Sequence, residues 1–263
     1  MTTTRIEKFS IGRVVERAFA AFTGNFVAYA VVAVIFVALP TAAVAWFQRD
    51  FMAEASGAAR GLGLFSSPVG WCEWLGIQLF HVAMGAAAQA AIIYGVITGL
   101  TGRKAALGEM LSKGLASWWP LVLIGICTGV MSALGYLLFI VPGMMLAIRW
   151  LVAIPAQVME GKGVFASMGR SAELTKGNRW SIFGLLVVAV LIMLAVELAV
   201  GLVVAPGVAL AGALNSTAFQ LIVAPVLSLV VTPLFAAGIA SLYFELRSTK
   251  EGVGVEQLAS VFD

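Results

Sequence analysis

"VFASMGRSAELTKGNRWSIFGLLVVAVLIMLAVELAVGLVV" runs from Val164 to Val204. Its first half mixes charges with Phe165, Met168, Ala172 and Leu174 at helical spacing. Its second half carries a single charge, Glu197, between Ser181 and Val204. A half-oily helix that turns at Gly177 or Asn178 and then enters some 20 apolar residues reads as an interfacial helix feeding a membrane span. Arg170, Lys176 and Arg179 then fall where lipid phosphates lie, with Leu174 dipping into the leaflet. Trp180 falls at the polar boundary that indoles favour.

The rest of the chain repeats this oily character. No Asp, Glu, Lys or Arg occurs from Ala18 to Gln48, Trp74 to Gly102, Gly114 to Ile148 or Leu198 to Phe244. Across 263 residues, 61% are hydrophobic and only 11% charged, with a mean hydropathy of +1.02. Soluble domains carry roughly 25% charged residues, so the expected class is an all-α polytopic membrane protein. Six spans are expected, at about Thr23–Phe47, Trp74–Leu100, Trp118–Ile140, Met144–Met159, Ser181–Val204 and Thr217–Tyr243. Breaks are expected at Pro142–Gly143 and Pro206–Gly207, where proline removes a backbone donor. Pro225 and Pro233 are read as kinks, because cutting there leaves fragments too short to span.

Orientation follows from the cations. With the N-terminus inside, thirteen of the sixteen Lys and Arg residues lie on inner segments and only Arg49 and Arg60 on outer ones. This bias places both termini in the cytoplasm. The N-terminus, with its acidic residues and amphipathic stretch, does not resemble a cleavable signal. The net charge of +3 is scattered beside apolar segments. That suits an anionic lipid surface and gives no basis for nucleic-acid binding. Cys72 and Cys127 read as packing residues.

Two further segments resemble Val164–Trp180, namely Ile6–Phe22, with Arg13 and Arg17, and Ala105–Trp119, with Lys113. Each precedes a span on the inner side, so about three inner-face amphipathic helices are expected. The whole of 1–263 reads as one integral membrane domain. It divides either into three repeats of surface helix plus hairpin (5–100, 105–160, 164–246) with a cytoplasmic tail at 247–263, or into spans joined by short basic loops with no true repeat. The candidate lipid-headgroup contacts are Arg13, Arg17, Lys113, Arg170, Lys176, Arg179 and Trp180. The candidate intramembrane polar site is Arg149, Glu197 and His81. Arg149 costs about 3 kcal/mol at a bilayer centre, so it either pairs with Glu197 or snorkels to the outer surface. Outside that site, a lone histidine such as His81 reads as a hydrogen-bonded core residue, and Gln89, Gln157, Asn215 and Gln220 either join a polar interior or make isolated helix contacts.

Motifs for metalloprotease, nucleotide-binding or nucleophile-elbow chemistry are absent from the sequence, so no catalytic residue, metal or cofactor is expected.

Three stretches resemble a known family: "PGMMLAIRWLVAIPAQVMEGKGVFASMGRSAELTKGNRW" at Pro142–Trp180, "YFELRSTKEG" at Tyr243–Gly252, and the basic N-terminal helix. They are similar to the membrane domain attached to some bacterial glycerophosphodiester phosphodiesterases, and to related stand-alone inner-membrane proteins. The family pattern matches Pro142, Gly143, Arg149 and Pro155. It continues at Arg170, Ser171, Leu174, Thr175, Gly177 and Trp180, and closes on Tyr243, Leu246, Arg247, Glu251 and Gly252. The resemblance implies a six-span bundle in a bacterial inner membrane. It implies no phosphodiesterase activity, since the soluble catalytic barrel has no expected counterpart here. The leading expectation is a non-enzymatic protein that binds lipid or shapes the bilayer. A transporter or channel, and a scaffold for membrane-protein assembly, are the alternatives. Membrane lipids, a second copy of the chain or another membrane protein are the expected partners.

Overall fold

A computed structural model of the chain describes residues 9–44, 46, 68–210 and 224–251. Among the described residues there are helices and no strand. Helix α1 (Ile11–Gly24) ends at Asn25. Helix α2 (Phe26–Ala33) runs on through a π-helical turn (Val34–Ala38). Then come α3 (Pro68–Leu100), α4 (Leu107–Leu138), α5 (Ile140–Trp150), α6 (Ala153–Glu160), α7 (Val164–Thr175), α8 (Arg179–Leu210) and α9 (Ala224–Glu251). Six stretches are long and apolar enough to cross a bilayer: Phe26–Val44, Trp74–Leu100, Leu107–Leu138, Ile140–Glu160, Arg179–Val196 and Leu227–Glu251. The chain is thus an all-α, multi-pass membrane protein.

Small residues set the centre. In "AAAQAAIIYGVI" (86–97), Ala87, Ala88, Ala90, Ala91, Ile92 and Ile93 are fully buried. Lipid gives helices no hydrophobic reason to associate, so close packing must hold them, and alanine and glycine permit it. A Cβ on Gly114 of α4 would stand 2.6 Å from the Ala87 carbonyl oxygen of α3. This contact explains one departure from expectation. The segment 105–119 is no separate surface helix but the first turns of α4, which runs unbroken through Pro120. Met110 and Gly114 are buried there, against a core that already includes Tyr29.

The helix breaks also move. The α4–α5 break falls at Phe139, whose backbone is extended (φ −162, ψ 154), and not at Pro142. Pro142 sits in the first turn of α5, where its missing N–H forfeits no helical bond. The hairpin closes tightly, since a Cβ on Gly143 would lie 2.4 Å from the Tyr136 ring. No break occurs at Pro206–Gly207, because α8 continues to Leu210. Membrane helices accommodate an internal proline when neighbouring groups adjust around the freed carbonyl. Pro233 lies within the continuous α9, and Pro225 lies in its first turn. The fourth span is interrupted instead at Leu151–Val152, between α5 and α6. Residues 247–251, expected in the tail, are the last turn of α9. Between the first two expected spans, Pro68–Glu73 is helical and opens α3.

Antiparallel neighbours put the 101–106 and 161–163 turns, α1 and the end of α9 at one end of the bundle, and Phe139 at the other. Lys250, near the end of α9, reaches the Glu173 carbonyl and brings the end of α7 and the 176–178 turn to the same end as α1. That is the basic end. Helix α8 is held least. Only 11% of its apolar window is buried, against 56% for α9.

Candidate functional site

The polar chemistry gathers at the basic end, and it begins with the sequence "EGKG" (160–163). Gly161 (φ +62) and Gly163 (φ +93) adopt the left-handed region that a side chain would strain, and the chain reverses. Helix α7 then folds back along α6 and the end of α5. The Gln157 side-chain oxygen accepts from the Gly163 N–H (3.0 Å) and the Ser167 hydroxyl (2.7 Å). Ser171 Oγ accepts from the Val152 N–H (3.2 Å) and donates to the Arg149 carbonyl (2.9 Å). Thr175 Oγ1 reaches the same carbonyl at 3.3 Å. A broken helix frees backbone groups that hydrocarbon cannot satisfy. Here the buried hydroxyls of α7 satisfy them.

Around this hinge stands an ionic cluster. Glu160 takes hydrogen bonds from the Tyr243 hydroxyl (2.9 Å) and Arg170 Nε (3.0 Å), and Lys162 Nζ lies 2.9 Å away. Arg170 also pairs with Glu251, which takes a second bond from Arg247 Nε (2.8 Å). Lys250 donates to the Glu173 carbonyl and lies within electrostatic reach of Lys176, Arg170 and Arg179.

A second carboxylate, Glu245, is buried with only 2% of its side chain exposed. Arg13 approaches it through Nε (2.9 Å) and Nη2 (2.5 Å), Arg17 through Nη1 (2.5 Å), and the Ser10 N–H at 3.3 Å. This clamp fixes α1 across the end of α9. Outside the spans, Arg103 meets Glu109 (3.3 Å) and the Tyr94 hydroxyl (3.1 Å). The hydrogen bond and charge of Glu109 push the Arg103 pKa further up.

These positions revise several sequence expectations. Arg13, Arg17 and Arg170 were expected to reach lipid phosphates, yet protein carboxylates occupy all three. Leu174 does not dip into a leaflet. It is 1% exposed in the main core, and Met168 is buried in a second cluster with Ile124 and Ala153, because this face of α7 packs on its own bundle. Val14 and Ala18 of α1 are likewise buried. Lys113 is half-buried, its Nζ 5.9 Å from the Tyr94 ring centre. Lys176 and Trp180 do face outward, Trp180 at 69% exposure and edge-on to Phe183. Arg179 is half-buried, and its Nε has no hydrogen-bond partner among the described residues.

Of the intramembrane candidates, Arg149 and His81 are not joined by a hydrogen bond or ion pair among the described residues. The Arg149 side chain is exposed, 5.8 Å from the Trp150 ring centre. Its carbonyl is held by α7, which ties it to the basic end and away from the Phe139 turn. The Glu197 side chain lies outside the described residues, and the expected Arg149–Glu197 pair lies outside them too. His81 is half-buried beside Phe80, its Nε2 without a hydrogen-bond partner among the described residues. Among those residues no group of three or more His, Cys, Asp or Glu is placed to hold a metal ion.

Sequence reasoning missed Glu160 and Glu245 as organising groups. A signal for Glu245 was present. Arg13 and Arg17 stand four residues apart on the apolar stripe of α1, where cations need an acceptor, and Glu245 is a lone carboxylate among Tyr243, Phe244 and Leu246.

Fold and site together define a multi-pass membrane domain whose fourth span is broken and sealed by a back-folded helix. Residues 126–252, from mid-α4 to the end of α9, match the family described as the membrane domain of glycerophosphoryl diester phosphodiesterase. No curated protein and no solved structure matches the chain.

Proposed function

We propose that the protein is a non-enzymatic domain of the bacterial inner membrane that binds phospholipid at its basic end, with that end and both termini in the cytoplasm. One observation carries this reading. Among the described residues at the α7–α8 turn and the end of α9, the six cations Lys162, Arg170, Lys176, Arg179, Arg247 and Lys250 stand against the three carboxylates Glu160, Glu173 and Glu251. The surplus of positive charge sits beside the exposed Trp180. A basic cluster next to an indole at the head of a span suits an anionic headgroup.

Bilayer shaping by wedged helices is a narrower form of this reading. Val14 and Ala18 of α1 and Met168 and Leu174 of α7 face protein, so any wedge rests on outward groups such as Phe165 and Trp180, which are 79% and 69% exposed. Transport gains no specific support. The carbonyl freed at the broken span, which in a carrier would face the cargo, already accepts from Ser171 and Thr175.

The test is lipid retention by purified protein in mixed phosphatidylethanolamine–phosphatidylglycerol bilayers, read by mass spectrometry. Wild type should retain the anionic lipid preferentially. The triple variant Lys176→Ala, Arg179→Ala, Lys250→Ala should lose that preference by about tenfold or more, at about 1 kcal/mol per cation near the headgroups. A wild type that retains both lipids in the proportion supplied would sink the proposal.

A further inference from the structure

The loosely held α8 leaves a cleft between itself, α1 and α9, of about 90 Å³. Its walls are apolar throughout and include Val14 and Ala18 of α1, Leu186 and Ala189 of α8, and Gly238 and Leu242 of α9. The cleft is partly open, and two of its lining residues, Phe19 of α1 and Phe235 of α9, are 42% and 48% exposed. Two of its three walls belong to membrane-spanning helices, so the medium at its mouth is hydrocarbon. Water gains nothing in such a space, because a buried water needs two or more polar partners.

We infer that this cleft is the seat of one acyl chain of a bilayer phospholipid. Three features favour that occupant over a protein helix. The space is too narrow for a helix about 10 Å across but fits part of a single chain. Gly238 opens it, since a Cβ built there meets no atom within 4 Å. The cleft also continues the headgroup site. Leu186 lies seven residues below Arg179 on α8, roughly 10 Å along the helix axis, so a lipid whose phosphate sits at the α7–α8 turn can lay its chain along α8. The inference rests on the lipid-binding reading above and adds which part of the lipid is gripped, and where.

The experiment uses full-length protein in phosphatidylcholine vesicles doped with a phospholipid bearing a photoreactive diazirine on its acyl chain. Cross-linked peptides are mapped by mass spectrometry. Label is expected on 185–193 of α8 and 234–242 of α9, above the outward face of α4. Gly238→Phe fills the cleft from an open wall. It should cut that label by about tenfold while leaving the headgroup preference of the detergent-solubilised protein intact. Lys176→Ala with Arg179→Ala should do the reverse, losing headgroup preference while the cleft still takes label. Gly238→Ala, which adds one small group, is the folding control and should label nearly as wild type does. Label spread evenly over all lipid-facing helices would overturn the inference, and so would undiminished cleft label in a folded Gly238→Phe protein. Either result would leave the headgroup proposal standing on its own retention test.

Discussion

Glu245 shows how one buried charge organises the basic end. A carboxylate with 2% of its surface exposed survives there because two guanidinium groups and a backbone N–H reach it. The two sides of the clamp are not equivalent. Arg13 and Arg17 keep 33% and 30% of their side chains exposed, so without Glu245 they can turn toward water or phosphate. Without the arginines, Glu245 has nowhere to turn. Glu245→Gln should therefore cost about 1–2 kcal/mol. Arg13→Ala with Arg17→Ala should cost more, about 3–5 kcal/mol, because it strands a buried charge. Thermal unfolding in one detergent orders the variants, and equal losses would mean that the carboxylate is not shielded as described. The two arginines were visible in the sequence as half of this clamp. Their partner lies more than 200 residues away, a separation over which no periodicity speaks.

At the scale of the element, hydropathy revealed which segments span but not which face of a short helix meets lipid. Helix α7 has an apolar stripe by spacing. Its polar residues Ser167, Ser171 and Thr175 are nonetheless as buried as Leu174, because Ser171 and Thr175 reach the backbone freed at the broken fourth span and Ser167 bonds the Gln157 side chain. The same blindness put the α4–α5 break at Pro142. Proline disrupts a helix interior but is harmless in a first turn, and nothing local distinguishes Phe139 as the residue that goes extended. Likewise the 105–119 segment has amphipathic spacing, yet Gly114 locks it against α3 as part of a span. The two ends of the α7 stripe should consequently part company under mutation. Leu174→Asp buries a charge in a packed core and should leave little folded protein. Phe165→Asp, at a position 79% exposed, should fold with a melting temperature close to wild type and lose only membrane-surface contact. Size-exclusion profiles and tryptophan-quenching by surface-bound lipid quenchers read the two effects separately. A folded Leu174→Asp protein would mean that this face of α7 meets lipid after all.

Across the whole molecule, the alternation of helices turns a scattered charge pattern into a polar axis. Six spans and the gathering of cations on alternate connections were legible without coordinates, because the cost of placing charge in hydrocarbon is paid segment by segment along the chain. The interior was not legible, because the partners of Arg170, Glu160 and Glu251 come from three helices distant in sequence. The axis makes a definite statement about topology. The turns holding Arg103 and Lys104, and Lys176 and Asn178, share the end occupied by α1 and the close of α9, whereas Phe139 lies at the other. The proposed function puts the first end in the cytoplasm, on the positive-inside bias. Once Cys72 and Cys127 are replaced by serine, single cysteines at Lys104, Lys176 and Phe139 test this in intact bacterial cells with a membrane-impermeant maleimide. All three positions are exposed, Phe139 at 75%, so none needs the helices to open in order to react. Only Phe139→Cys should label in intact cells, and all three should label after permeabilisation. Labelling of Lys104→Cys and Lys176→Cys from outside, with Phe139→Cys silent, would invert the axis and move the basic cluster to the opposite leaflet. A split between Lys104→Cys and Lys176→Cys would be more damaging, since the antiparallel packing of α3 on α4 and the contact of Lys250 with the Glu173 carbonyl require both to emerge on one side.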